Sequence, residues 1–389
     1  MDRNADVIIV GGGVHGTSLA YHLLRAEAGR VVVLEKSGIG AGATGWSASF
    51  IRHHYSNEIC VRLVQESVKL LGDLEADTGR GSHMTPNPLL ILAGEDHAGP
   101  LRENVAMQRD LGVRVEVLAP EEVGRRFPYL DLTGIAEAAL EEDAGYGDAM
   151  RLSETYAREF RRGGGEIRTG TEVASIRVRG GHVEGVHTSE GPLDAATVVL
   201  AAGAWSARLA ATADAPIPVT PAFLSVALLD PDDPVRETPM AFDMTTATYW
   251  RPYEEGRLLV GTDEETGGNW DPDGLPGAVG FDFLASASRR LARRWPRMAA
   301  ARFVNGWAGI DAATPDLHPL IGPDPRVEGL YLDTGFSGHG YKFSPAVGRG
   351  LAEHITGGKY RSLDLTPFCL ERFEAGAVFT SRYSVTVVQ

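Results

Sequence analysis

Asp6-Val7-Ile8-Ile9-Val10-Gly11-Gly12-Gly13-Val14-His15-Gly16, near the start of a 389-residue chain, restricts the fold more than any other stretch. Val7 to Val10 is an apolar run that reads as a buried strand. It enters a glycine turn, then a helix predicted from about Val14 to Arg25, and a second apolar strand, Val31 to Leu34, ends on Glu35. Gly11 permits a sharp turn, Gly13 a close approach of backbone to a pyrophosphate, and Gly16 close packing of helix on strand. The helix N-terminus offers free N–H groups and the positive end of its dipole to phosphates. Glu35 follows Gly16 by nineteen residues, a spacing at which a carboxylate accepts hydrogen bonds from ribose hydroxyls. A glycine-rich surface turn leaves that acid without a role. The segment therefore reads as a dinucleotide-binding unit, without saying which dinucleotide.

At this length two domains are expected. A net charge of −15 argues against a nucleic-acid or anionic-membrane surface, both of which need a basic patch. Cys60 and Cys369 lie far apart and near no His/Cys cluster, so neither a disulfide framework nor a metal site is indicated. The chain enters its first strand almost at once, with no apolar run of membrane-spanning length, which gives the expectation of a cytoplasmic protein.

Small residues crowd Gly38 to Ser49 and lead into Phe50-Ile51-Arg52-His53-His54-Tyr55; such a segment lets backbone run close to something flat and bulky. Helices are predicted over Asn57–Leu74, near Gly99 and Pro120, and over Arg151–Arg162, with a strand at Leu89–Ala93. Glu172–Val178 and His182–Thr188 read as a hairpin around Gly180-Gly181. Ala196 to Leu200 reads as a buried strand that ends at a glycine and should lie beside the first strand. Short strands at Ala222–Leu229, Ala247–Arg251 and Arg257–Gly261 suggest a second, more antiparallel layer. In the helix Phe281–Arg294 the pairs Arg289-Arg290 and Arg293-Arg294 read as a solvated face.

Gly329 to Pro345 reads as a strand, a glycine-rich loop and a helix beginning at about Ser344, with Pro345 early in it. A flavin gains negative charge near its pyrimidine end on reduction. A helix N-terminus with Lys342 in front of it would stabilise that charge.

Taken together, these segments resemble the D-amino-acid oxidase superfamily of FAD enzymes, in its sarcosine oxidase and dimethylglycine dehydrogenase branch. The resemblance runs from the opening motif through Ala201-Ala202-Gly203-Ala204-Trp205-Ser206, Tyr249-Trp250-Arg251-Pro252 and Thr314-Pro315-Asp316 to Asp364-Leu365-Thr366-Pro367-Phe368. It is sharpest at Gly335-Phe336-Ser337-Gly338-His339-Gly340-Tyr341-Lys342. It implies an α/β fold: a Rossmann-like FAD-binding domain (residues 1–83, 140–215 and 300–375), a mixed-sheet α+β substrate domain (84–139 and 216–299) and a tail, 376–389. It also implies oxidation of the C–N bond of an amine or amino acid, by hydride transfer to flavin N5, with oxygen or another acceptor taking the electrons. A flavin-binding subunit of a hetero-oligomer and an NAD(P) dehydrogenase are the alternatives.

By position, the resemblance implies that FAD contacts Gly11, Gly13, Val14, His15 and Gly16, with Glu35 and Lys36 at the second strand. Thr44, Ser47, Ser49 and Val173 follow, then Ala202, Gly203, Trp205 and Gly309. The last group is Phe336, Gly338, His339, Gly340, Tyr341 and Lys342. Arg52 matches an arginine that binds the substrate carboxylate, and Lys342 a lysine that assists it; a surface salt bridge is the plainer reading of Arg52. Tyr249 matches a tyrosine that walls the pocket, or is a packing aromatic. His339 reads as a structural hydrogen-bond donor near the flavin rather than a base.

Departures from the pattern carry information too. Covalent members have a cysteine where this chain has Gly309, so non-covalent FAD is expected. A lysine used to activate oxygen aligns with Leu259, and an arginine near the flavin with Ser49. Asp263 and Asp311 stand where a histidine and a tyrosine are found. If both face the pocket, Arg251 could pair with one of them; otherwise the substrate carries a second polar or cationic group.

Overall fold

Val7 and Ile9 bury their side chains in one hydrophobic core and Ile8 and Val10 in another, as expected of a strand covered on both faces. In the computed structural model, residues 4–81, 83–233, 235, 237–262, 271–274 and 278–384 are described. The chain begins with β1 (Asn4–Val10), α1 (Val14–Arg25), β2 (Val31–Glu35), α2 (Ala43–Trp46), β3 (Phe50–Ile51), α3 (Glu58–Thr78), β4 (Thr85–Pro86) and β5 (Leu89–Ala93). It continues through α4 (Glu95–Asp110), β6 (Val115–Leu118), α5 (Pro120–Arg126), β7 (Glu137–Glu141), β8 (Gly145–Tyr146), α6 (Ala149–Arg162), β9 (Glu166–Thr169) and β10 (Val173–Arg179). Next come β11 (His182–Thr188), β12 (Gly191–Leu200), α7 (Ser206–Ala211), β13 (Thr220–Asp230), β14 (Met240–Asp243), β15 (Thr248–Pro252) and β16 (Leu258–Thr262). The last elements are α8 (Phe281–Arg294), β17 (Arg302–Ala313), β18 (Leu320–Pro323), β19 (Leu330–Thr334) and α9 (Gly340–Gly357).

The first sheet runs β10-β11-β12-β1-β2-β9, and its centre is parallel. Strand β12 takes β11 along its first half and the parallel strand β19 along its second. Strand, helix and strand thus return to one sheet, as the opening motif requires, and the predicted β10–β11 hairpin is present. The second sheet runs β17-β13-β16-β15-β14-β5-β7-β6, antiparallel except between β14 and β5. The expected domain boundary at residue 300 falls just before β17, which pairs with β13 in this second sheet. No helix among the described residues is long and apolar enough to cross a membrane.

Two details depart from the sequence reading. Helix α9 starts at Gly340, not Ser344, so Lys342 lies within its first turn rather than ahead of it. Pro345 has no N–H for the Tyr341 carbonyl, and the Ser344 hydroxyl donates to that carbonyl instead, at 2.9 Å. The arginines of α8 are not all solvated. Arg294 is 1% exposed, donates to Asp243 at 2.7 Å, and ties the helix to the end of β14. It falls on the same stripe as the buried Ala287 and Leu291, a helical repeat that the basic run obscures.

Candidate active site

A cavity of about 580 Å³ lies between the two sheets. At one end, β1 turns at Gly11, whose φ of +115° suits glycine; a β-carbon there would stand 2.3 Å from the Ala201 carbonyl oxygen. A β-carbon on Gly16 would meet the Gly11 oxygen at 2.0 Å, so α1 packs on the turn only because Gly16 lacks one. Helix α1 has no side-chain cap and no acid in its first turn, an N-terminus suited to an anion. Glu35 is already oriented: its Oε2 accepts from Gly12 N–H at 2.7 Å and its Oε1 from Ser37 N–H at 2.8 Å. The carboxylate lines the cavity with lone pairs left for hydroxyl donors.

His15 joins this loop to the later one. Its Nε2 is 2.9 Å from the Gly340 carbonyl, its Nδ1 3.1 Å from Asp333 Oδ1, and its ring stacks on Phe336 with centroids 3.5 Å apart. Thr44 Oγ1 accepts from Val14 N–H at 3.0 Å, and Ser47 Oγ from Ser49 N–H at 3.0 Å, which fixes the small-residue segment along the cavity. Val173, Ala202, Gly203 and Trp205 line it from the first sheet, and Gly309 from the second. Lys36 and Gly338 to Lys342 line it too; Gly16 acts by packing, one layer behind. These residues fit a dinucleotide: an open helix N-terminus, a pre-held carboxylate beyond it, and backbone brought close by missing β-carbons.

The second sheet faces the cavity mainly with one side. Register places Leu224, Val226, Phe242, Tyr249, Gly309 and Asp311 on that side, and all six line the cavity. Ala227, Ala241, Trp250 and Val260 point the other way, into the core under α8. Leu259 shares the cavity-facing side but is covered by Val226, Leu228 and Trp307 and does not line the cavity.

Arg52 and Lys342, each 4% exposed, line this end together. The Arg52 guanidinium lies 4.2 Å from the Tyr55 ring and 5.4 Å from Phe242, and donates to the His54 carbonyl. The segment behind it is held by Glu141, whose Oε1 accepts from His53 N–H and lies 2.8 Å from His53 Nδ1. Burial, with the Arg52 charge added, pushes Lys342 well below the usual lysine range, while Asp311 opposes the shift. Lys342 Nζ lies 6.0 Å from the centroid of the Tyr55 ring and 5.9 Å from that of Phe343. His339 Nδ1 lies 3.0 Å from Tyr55 Oη, and burial, then Lys342 and Arg52, drive it well below the ordinary histidine value, so the ring is neutral. Burial pushes Tyr249 up to about 12; it packs against Phe50 and Phe242.

Arg251 does not pair with Asp311: its Nε donates to the Ala48 carbonyl at 2.6 Å and its Nη1 to Pro252 at 2.9 Å. Asp263 lies outside the described residues. Sequence reading missed Asp333, Phe242 and Thr262, all of which line the cavity. Asp333 had a signal: like Glu35 it is an acid late in an apolar strand of the first sheet, just ahead of a glycine-rich turn.

A profile of the family described as "DAO: FAD dependent oxidoreductase" matches residues 6–354. FAD-dependent oxidoreductase domain-containing protein 1 of Bos taurus is 33% identical over 96% of this chain and 86% of its own length. Sarcosine oxidase subunit beta of Rhodobacter capsulatus is 26% identical over 96% of this chain and 90% of its own. Among solved structures, L-proline dehydrogenase from P. horikoshii aligns with a TM-score of 0.89 at 27% identity, covering 97% of this chain and 100% of that one. Glycine oxidase from Geobacillus kaustophilus gives 0.84 at 28% identity, covering 95% and 99%. With residues 6–354 matched and the cavity built as described, this chain belongs to the DAO family of FAD-dependent oxidoreductases.

Proposed function

We propose that the protein oxidises the C–N bond of an amine or N-substituted amino acid to an imine. The observation that carries this reading is the pair of buried cations, Arg52 and Lys342, at the cavity end walled by Tyr249 and Phe242. A guanidinium fork binds a carboxylate bidentately and so fixes the α-carbon in one place. Arrival of that carboxylate adds a second negative charge to that of Asp311 and favours the ammonium form of Lys342. The aromatic wall excludes water from the reacting bond, and neutral His339 keeps Tyr55, and through it the Arg52 guanidinium, in position. When bound, FAD supplies at flavin N5 the acceptor for the hydride that leaves the substrate carbon. Gly11 to Gly16 and Glu35 would hold its pyrophosphate and ribose, and the first turn of α9 with Lys342 its flavin. In this proposal residues 1–83, 140–215 and 300–375 serve the cofactor and 84–139 and 216–299 the substrate, with β17 serving both.

Relatives named as oxidases or dehydrogenases of amines and amino acids support the reading: 4-methylaminobutanoate oxidase (formaldehyde-forming) of Paenarthrobacter nicotinovorans is 28% identical over 97% of this chain and 45% of its own length. Two further points concern the electron acceptor. Leu259 stands where the resemblance implies an oxygen-activating lysine, which favours an acceptor other than oxygen unless Lys342, which lines the cavity, takes that part. A second reading, a subunit that passes electrons to a partner polypeptide, is favoured by the likeness to a protein named as a subunit; copurification of a second chain tests it.

The deciding experiment is anaerobic mixing of the yellow holoprotein with a panel of N-alkyl, cyclic and D-amino acids. Bleaching by at least one member, at higher concentrations in Arg52→Ala, is the expected result. A flavin that no amine bleaches would end the proposal.

A further inference from the structure

Between β16 and α8, the described residues Asp271 to Gly274 rest against the first sheet. Asp273 Oδ1 accepts from Lys36 Nζ at 2.7 Å and from Trp205 Nε1 at 2.8 Å, and its Oδ2 accepts from Arg208 Nη1 at 2.7 Å. Asp271 Oδ1 takes the other arm of Arg208 at 2.9 Å and the Asp273 N–H at 3.1 Å. Lys36 Nζ sits 4.0 Å from the centroid of the Trp205 ring. One carboxylate thus gathers donors from two separate parts of the first sheet, the end of β2 and the start of α7.

Lys36, Trp205, Arg208, Pro272 and Asp273 all line the FAD cavity. Their end of it is fixed by Glu35, which immediately precedes Lys36 and is placed to bind ribose. We propose that Asp273 is the pin of a clasp across the adenosine end of the cofactor site, which has to open whenever FAD is loaded or lost.

Exposure of these groups fits a closure that releases. The side chains of Lys36, Asp273 and Arg208 are 32%, 46% and 55% exposed. Ion pairs at such exposure add little to the stability of a fold and are screened by salt. Several donors on one acid nevertheless act together to keep a loop shut. The hydrogen bond from Lys36, with those from Trp205 and Arg208, holds the Asp273 carboxyl below the usual carboxylate range, so the pin stays charged.

The test compares FAD uptake by the full-length apoprotein with FAD release from the holoprotein into an excess of a flavin-binding trap. Wild type, Asp273→Ala and Asp273→Asn are measured at low and high NaCl by flavin fluorescence. A clasp predicts that Asp273→Ala speeds uptake and release alike, each about tenfold, with affinity changed much less than either rate. Wild-type rates should rise with salt, and those of the variant should respond less. Asp273→Asn keeps the shape of the side chain and should fall between, which carries the test if the alanine variant folds poorly. Faster release with unchanged uptake would make Asp273 an ordinary cofactor contact and overturn the proposal, as would unchanged rates in both directions.

Discussion

A β-carbon on Gly309 would stand 2.2 Å from the Cβ of Trp46, so strand β17 and the small-residue segment touch with no room for a side chain between them. Position 309 is where the resembling covalent flavoproteins carry their attachment cysteine. This chain lacks the thiol and has filled its space. FAD should therefore leave the protein on acid precipitation and appear in the supernatant; flavin remaining in the pellet contradicts the prediction.

Arg52→Ala and Lys342→Ala should each weaken substrate binding while FAD stays bound. Loss of one charge-assisted contact to a carboxylate costs about 1.5–3 kcal/mol, roughly tenfold to a hundredfold in affinity. Titration of the bound flavin spectrum with a carboxylate ligand measures this directly. Unchanged affinity in Arg52→Ala would take Arg52 out of the site.

Asp311 lines the cavity close enough to Lys342 to oppose its shift. A carboxylate there suits a substrate with a distal amine or several hydroxyls better than it suits sarcosine. The rate of anaerobic flavin bleaching should be slower with sarcosine than with a larger amino acid bearing a distal amine, and Asp311→Asn should narrow the gap. Equal rates in the wild type would refute the assignment.

Acid should weaken the fold through His54. The ring is fully buried beside Tyr383 Oη, at 2.7 Å, and burial, reinforced by the Arg52 charge, pulls its pKa down to about 3. An unfolded histidine titrates near 6.5. Between those values the unfolded chain binds a proton that the folded chain refuses, so stability is complete above about pH 6.5 and falls as the pH drops toward 3. The loss from this group at pH 5 is about 2 kcal/mol. Urea unfolding at pH 7.5 and 5 should show a larger drop in wild type than in His54→Gln.

Arg372 and Asp316 form a buried pair, 2% and 3% exposed, with hydrogen bonds of 2.8 and 2.9 Å. Asp316 also accepts from the N–H groups of His318 and Phe379, so it ties the tail to the sheet. Arg372→Ala strands the acid and should cost about 3–5 kcal/mol in urea unfolding. A loss below about 1 kcal/mol would show that the tail holds by packing alone.

The parallel centre of the fold was legible because its signals are local: unbroken apolar runs, each ended by a glycine or an acid. The cofactor end was legible for the same reason, since Gly11, Gly16 and Glu35 do their work within one strand–helix–strand unit. Arg294 was not. Its partner Asp243 lies 51 residues away, and nothing in a run of arginines marks the one that turns inward. Asp273 was invisible in the same way, an acid in a loop whose partners Lys36, Trp205 and Arg208 are distant in sequence. The start of α9 was misplaced because Pro345 suggests a first helical turn, whereas Ser344 supplies the hydrogen bond that lets the helix begin earlier.

The chain passes repeatedly between the two large sheets: out of β2 toward β5, back from β7 to β9, over again from β12 to β13, and home from β17 to β18. Every passage is a covalent strut. A hinge is a few residues that absorb the whole change, and here four separate connections would have to bend together. That opposes a jaw-like opening of the halves and leaves loops and side chains as the easier way in and out. For the same reason neither half is a natural fragment: cutting the chain at any one passage leaves the first sheet short of strands, and the two should melt as a single unit.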